Sequence, residues 1–167
     1  MQKKLYHLFY EDMMKVCLRY AGDTDKASVV YNDAMLKVFR TISNYKEQGK
    51  AASWIKRVVV NTAIDYVRVK SNFFPETINK ENIPEDFSID ESVFEKMNTK
   101  DIQLLINSLP AKLAMVFNLY VYEEYDHNDI SSLLKIPTGT SRYYLSEARK
   151  KLREIVLNPI SSLNNAK

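Results

Sequence analysis

A chain of 167 residues accommodates one ordinary domain or two small ones. Three glycines, five prolines and 46% hydrophobic residues describe a helical globular protein, and the single cysteine, Cys17, excludes an intrachain disulfide framework. The formal net charge of +3 hides an uneven distribution: residues 50–70 carry +4 and 135–153 carry +5, while 71–101 carry −5, so two basic segments flank an acidic one, a pattern expected of polyanion binding at two places.

No stretch approaches the roughly 20 apolar residues of a membrane span. The apolar run near the start is broken by His7 and ends at Glu11 and Asp12, too short for a secretory signal, and a cytoplasmic location is expected. Leu5, Phe9, Met13, Val16 and Tyr20 recur at helical spacing and predict a first amphipathic helix over about residues 3–20. Gly22 suits a left-handed C-terminal cap. Asp23 or Thr24 then caps a second helix carrying Ala27, Val30, Tyr31, Ala34, Val38, Phe39 and Ile42 on its apolar stripe. The short connection implies antiparallel packing. Residues 43–50 read as a loop that contains Tyr45 and Gly49.

The third helix, AASWIKRVVVNTAIDYVRVK, places Trp54, Ile55, Val58, Val59, Thr62, Ala63, Tyr66 and Val67 on one stripe and leaves Lys56, Arg57, Asn61, Asp65 and Arg68 for solvent. Asp65 and Arg68, three apart, read as an intrahelical ion pair. Beyond Lys70 the periodicity vanishes: Pro75, Pro84, clustered acids and scattered phenylalanines describe a flexible linker.

Thr99 is then read as the cap of a short helix, and Pro110 as the first residue of a helix whose buried side is Leu113, Val116, Phe117 and Tyr120. Asp126 caps a helix over residues 127–135. The turn Ile136-Pro137-Thr138-Gly139 leads into a last helix with Ser141, Leu145, Ala148, Leu152 and Ile155 inward and Arg142, Ser146, Arg149 and Arg153 on a different face. Two helices joined by a tight turn, the second with a basic outer face, form the helix-turn-helix plan; its arginines can read guanine O6 and N7 in the major groove.

Two sets of residues resemble one family. The run Trp54-Ile55-Lys56-Arg57-Val58, Asn61, Ala63-Ile64-Asp65-Tyr66 and Arg68 resembles the promoter-melting helix of the extracytoplasmic-function (ECF) sigma factors of the sigma-70 family. Ser108-Leu109-Pro110, Asp129-Ile130, Ile136-Pro137, Gly139 to Arg142, Leu145 and Ala148 to Leu152 resemble that family's region 4, in the expected order. The resemblance implies an all-α protein of two small helical domains. Residues 1–70 would be a three-helix promoter-melting domain, 71–98 an acidic flexible linker, and 99–167 a four-helix domain ending in the helix-turn-helix.

It further implies a non-enzymatic factor, without cofactor or metal, whose partners are RNA polymerase core, promoter DNA and an anti-sigma factor. Polymerase contacts fall to Asn32, Asp33, Lys37 and Arg40. The −10 element falls to Lys50, Lys56, Arg57, Asn61 and Trp54, with core packing the first reading of Trp54. The −35 element falls to Thr140, Arg142, Tyr143, Ser146 and Arg149. Departures from the family pattern are Val29, where an aspartate is common, Tyr143 and Tyr144, and Glu147 in place of a base. A stand-alone helix-turn-helix regulator is the alternative. His7 and His127, far apart without ligand partners, read as lone surface histidines.

Overall fold

The computed structural model describes residues 2–45, 51–71 and 97–157. Within them every regular element is helical and no strand occurs. The chain divides into two compact units, Met1–Phe73 and Phe74–Lys167. Most of the acidic stretch predicted as a linker, and Lys50 with the rest of the loop before the third helix, lie outside the described residues.

The N-terminal unit is three long helices: α1 (Gln2–Ala21), α2 (Thr24–Thr41) and α3 (Ala51–Ser71), each packed on the other two. Gly22 adopts φ 85° between α1 and α2, the left-handed conformation that glycine reaches at no steric cost. The Asp23 side chain accepts the Lys26 backbone N–H 2.8 Å away, so Asp23 is the cap and Thr24 the first helical residue. The Lys26 ammonium also pairs with the Asp23 carboxylate and holds that carboxyl below its ordinary range. A single 3-10 turn, Ile42–Asn44, closes α2.

The core is Val16, Cys17, Ala27, Val30, Tyr31, Ala34, Met35, Val38, Ile55, Val59, Val60, Ala63 and Ile64. Each fully buried Val, Ile or Met contributes about 1.5–3 kcal/mol of apolar transfer. Val60 and Ile64 fall outside the stripe read from the sequence, because α3 meets α1 and α2 together and its buried arc is correspondingly wide. Ile42, predicted inward, is instead exposed where the 3-10 turn rotates it away from the α2 stripe.

The C-terminal unit uses shorter pieces: α4 (Thr99–Asn107), α5 (Ala111–Phe117), α6 (His127–Leu134) and α7 (Thr138–Leu157). Asn98, not Thr99, caps α4 by accepting the Asp101 N–H at 2.9 Å. Pro110 precedes α5 with ψ 137°, one position earlier than the sequence pattern placed it. Immediately after α5 the chain widens into a π-helical turn, Asn118–Tyr122, in which the Glu123 N–H reaches the Asn118 carbonyl five residues back at 3.1 Å. The extra residue in that turn rotates Leu119 and Asn118 inward and Tyr120 outward, so Tyr120 is not a core residue as the periodicity predicted.

Candidate nucleic-acid interface

The helix-turn-helix is assembled from local bonds. Asp126 accepts the backbone N–H groups of Asn128 and Asp129 at 2.7 and 2.8 Å and so starts α6. Lys135, at φ 56° and ψ 45°, ends it in the left-handed conformation. Ser131 Oγ then donates to the Ile136 carbonyl at 2.6 Å while the Ile136 N–H donates back to the Ser131 carbonyl, which pins the turn. The turn is Lys135 to Pro137, one residue tighter than expected, since Thr138 and Gly139 already belong to α7.

His127 fixes the relation of the two helices. Its Nδ1 lies 2.9 Å from Ser141 Oγ on α7, and its ring stacks on Tyr120 at 4.8 Å and 25°. It is therefore no lone surface histidine. On the other partner of Tyr120, the Arg149 guanidinium lies 5.8 Å from the ring centroid, within cation–π range.

The five residues predicted for −35 contact divide by burial. Thr140 and Ser146 are buried, Tyr143 and Arg149 half-buried, and Arg142 exposed. Ser146 was expected on the outer face; α7 packs on α4, α5 and α6, and that broad contact takes Ser146 in with Tyr144 and Leu145. Arg142 and Tyr143 are the side chains this face offers a groove, with Lys150, Lys151 and Arg153 exposed further along α7.

In the N-terminal unit, Arg57 is exposed, and Lys56, Asn61 and Trp54 are half-buried. Asn61 is not the solvated amide the sequence pattern suggested: its Oδ1 is shielded from solvent and makes no hydrogen bond. Trp54 packs against Tyr45, centroids 5.0 Å apart and 34° between planes, so a packing contact accompanies its partial exposure. Lys50 lies outside the described residues.

On α2, Asn32, Asp33, Lys37 and Arg40 are all exposed. They share the outer side of the helix with two exposed apolar residues, Val29 and Leu36. Asn32 is oriented by Tyr6, whose hydroxyl donates to Asn32 Oδ1 at 2.7 Å; Tyr31 in turn donates to the Tyr6 carbonyl. Lys37 lies 3.6 Å from Asp65. Asp65 thus pairs across to α2 rather than with Arg68 along its own helix. No sequence spacing marks that pair or the Tyr6 bond, since both depend on how two helices face each other.

Among the described residues there is no cluster of histidine, cysteine and carboxylate groups fit for a metal ion, and no helix is long and apolar enough to cross a membrane.

Residues 5–73 match the family described as Sigma-70 region 2, and residues 99–152 match Sigma-70, region 4. The chain is 25% identical over 150 residues to the ECF RNA polymerase sigma factor SigE of Mycolicibacterium smegmatis, covering 84% of this chain and 55% of that protein. It is 24% identical over 162 residues to the ECF RNA polymerase sigma factor SigW of Bacillus subtilis, covering 88% and 84%. The fold is similar to that of the sigma factor RpoE of Bartonella quintana, solved in complex with the anti-sigma factor NepR: TM-score 0.56, 16% identity, 93% of this chain and 96% of that one.

Proposed function

Because the chain belongs to the ECF branch of the sigma-70 family, we propose that it binds RNA polymerase core and directs initiation at promoters carrying its own −10 and −35 elements. The observation that carries this reading is the pairing, in one chain, of a helix-turn-helix presenting Arg142 and Tyr143 with a separate three-helix unit whose α3 presents Arg57, Lys56 and Asn61. A stand-alone regulator would use the first and leave the second without a task.

In this reading, Arg142 and Tyr143 read base edges of the −35 element, Thr140 and Ser146 seat the N-terminal half of α7, and Arg149 braces that face through Tyr120. Phosphate contacts from Lys150, Lys151 and Arg153 supply salt-dependent affinity. On the other unit, Lys56, Arg57 and Lys50 neutralise phosphates near the −10 element. Asn61 and Trp54 meet the unstacked strand. Opening a base pair there costs a few kcal/mol, which stacking and phosphate contacts offset.

The exposed side of α2, with Asn32, Asp33, Lys37 and Arg40, docks on polymerase, and the Tyr6 bond to Asn32 Oδ1 turns that amide's donors outward. The factor catalyses no step itself and works in the cytoplasm, where polymerase is. The domains run over 1–70 and 99–167, joined by the acidic segment 71–98. An anti-sigma partner is supported by the complex in which the Bartonella protein was solved.

The test is a pair of binding measurements with purified core polymerase. Co-elution with core on a sizing column, together with protection of specific DNA only when core is present, is the expected result. Specific protection by the protein alone, with no co-elution, would return the stand-alone regulator.

A further inference from the structure

Directional bonds tie α6 to the chain that follows it at two places. Ser131 and Ile136 exchange bonds across the turn, Ser131 Oγ to the Ile136 carbonyl and the Ile136 N–H back to the Ser131 carbonyl. Four residues earlier on α6, His127 Nδ1 lies 2.9 Å from Ser141 Oγ, which sits five residues beyond Ile136 in the first turns of α7. The rest of what α6 and α7 bury is largely apolar: Ile130, Leu134, Leu145, Ala148 and Leu152. Apolar contact is non-directional and permits a helix to roll on its neighbour, whereas a hydrogen bond holds only within narrow limits of distance and angle. A tie at the turn alone is a pivot. A second tie one helical turn further along removes that freedom.

Three observations make the His127 tie strong. Ser141 is 0% exposed, so water cannot take the place of His127 beside its hydroxyl. The Tyr120 ring stacks on the imidazole at 4.8 Å and 25° and holds its plane. The Arg149 guanidinium lies against the same tyrosine, so Ser141, His127, Tyr120 and Arg149 form one chain of contacts. Its two ends are eight residues apart on α7, about 12 Å along the helix.

Arg142 follows Ser141 by one residue and is exposed, and Tyr143 comes next, half-buried. Side chains that read base edges must be held to about 0.5 Å and 10–20°. The long stems of Lys150, Lys151 and Arg153 reach phosphates from a range of helix positions. Loss of the tie therefore costs base reading more than general DNA affinity.

We propose that His127 is a positioning residue for −35 recognition, its bond to Ser141 setting the roll of α7 at which Arg142 and Tyr143 meet base edges. This role rests on the reading of α7 as the −35 helix. It adds to that reading a residue that touches no base and still governs discrimination.

Holoenzyme formed with core polymerase from the source organism transcribes two templates in competition. Both carry the same −10 element, and the −35 element is intact in one and scrambled in the other. The ratio of the two transcripts measures −35 discrimination. His127→Phe keeps a ring against Tyr120 and deletes the nitrogen; Ser141→Ala deletes the hydroxyl and serves by itself where His127→Phe does not fold. Each lowers the ratio about fivefold or more, the least that one well-aimed bidentate base contact supplies. The double variant falls no further than either single one, because both remove the same bond. His127→Asn loses the ring, but its amide overlies the Nδ1 position and keeps the ratio close to that of the unaltered protein.

A bond that only stabilises the fold would lower the melting temperature and both transcripts together, with the ratio unchanged. That result, or a ratio lost equally in His127→Asn and His127→Phe, would overturn the assignment while leaving the sigma reading intact. An unaltered holoenzyme indifferent to the −35 element would overturn the −35 reading and this role with it.

Discussion

The two units, which on the proposed reading both present polar side chains to nucleic acid from a helical scaffold, are built by different means. In the N-terminal unit three helices of 18 to 21 residues bury a continuous apolar core in which Thr62 is the one buried polar residue among those described. In the C-terminal unit α4 to α6 are only seven to nine residues long, and Asn118, Glu123, Thr140, Ser141 and Ser146 are buried with the apolar residues. Helices that short are marginal by themselves. Their ends depend on Asn98 and Asp126, and their packing on contacts such as His127 with Ser141. The lesson is that both units carry polar contacts between helices, such as Tyr6 with Asn32 and His127 with Ser141, but among the described residues the second buries five polar side chains and the first only one. That difference sets how each responds to substitution, to pH and to DNA.

The largest effect expected from this contrast is at Ile64, 1% exposed at the centre of the first unit. Ile64→Ala should cost about 2–5 kcal/mol, read as a lower denaturation midpoint in the Trp54 emission. The C-terminal unit, monitored by amide exchange in α7, should be much less affected. Equal loss in both would mean the units fold as one.

Alkaline pH should separate them next. Burial pushes the Cys17 thiol from 9.0 up to about 12, and burial likewise raises Tyr31 and, together with the nearby Tyr10 charge, Tyr6. A raised acid is protonated in the folded chain and ionised in the unfolded one between those values, so the stability it lends is present below pH 9 and lost as pH climbs toward 12. The first unit should lose stability over that window, and Cys17→Ala should flatten the slope. An unchanged slope would remove Cys17 as its source.

Arginines on α7 should behave unequally. Arg142→Ala, at an exposed position, should lower −35 discrimination by about 1–3 kcal/mol with no change in melting temperature. Arg149→Ala should lower promoter activity and the stability of its unit together, because that guanidinium covers Tyr120. Parallel run-off transcription and calorimetry distinguish the two patterns.

A smaller effect is expected at Asp126, whose carboxylate accepts two backbone N–H groups. Asp126→Ala should cost about 1 kcal/mol, localised as faster exchange in the first turn of α6, and Asp126→Asn should restore most of it. No loss would show that the turn pinned by Ser131 suffices.

Sequence periodicity was most legible where helices are long. The stripes of α1 and α2, Gly22 as a left-handed cap and Asp126 as an N-cap follow from spacing and residue type alone. The misses have separate physical causes. The π-helical turn inserts a residue that no hydrophobic period announces, which moved Tyr120 outward and Leu119 inward. Asn98 and Thr99 are both competent caps, and the extended backbone at Asn98, φ −77° and ψ 160°, decides between them.

Val60, Ile64 and Ser146 lie on helices packed against more than one neighbour, where the buried arc exceeds a single stripe. The bonds from Tyr6 to Asn32, Lys37 to Asp65 and His127 to Ser141 join residues 26, 28 and 14 positions apart. Nothing local encodes them. Residue chemistry named candidates for the interface, whereas packing decided which of them face outward.

The most direct measurement is in vitro transcription from pooled genomic DNA with purified core polymerase from the source organism, with and without this protein, followed by mapping of RNA 5′ ends. The account predicts discrete starts that appear only with the protein and share −10 and −35 elements at a constant spacing. Starts that do not change on adding the protein would contradict it.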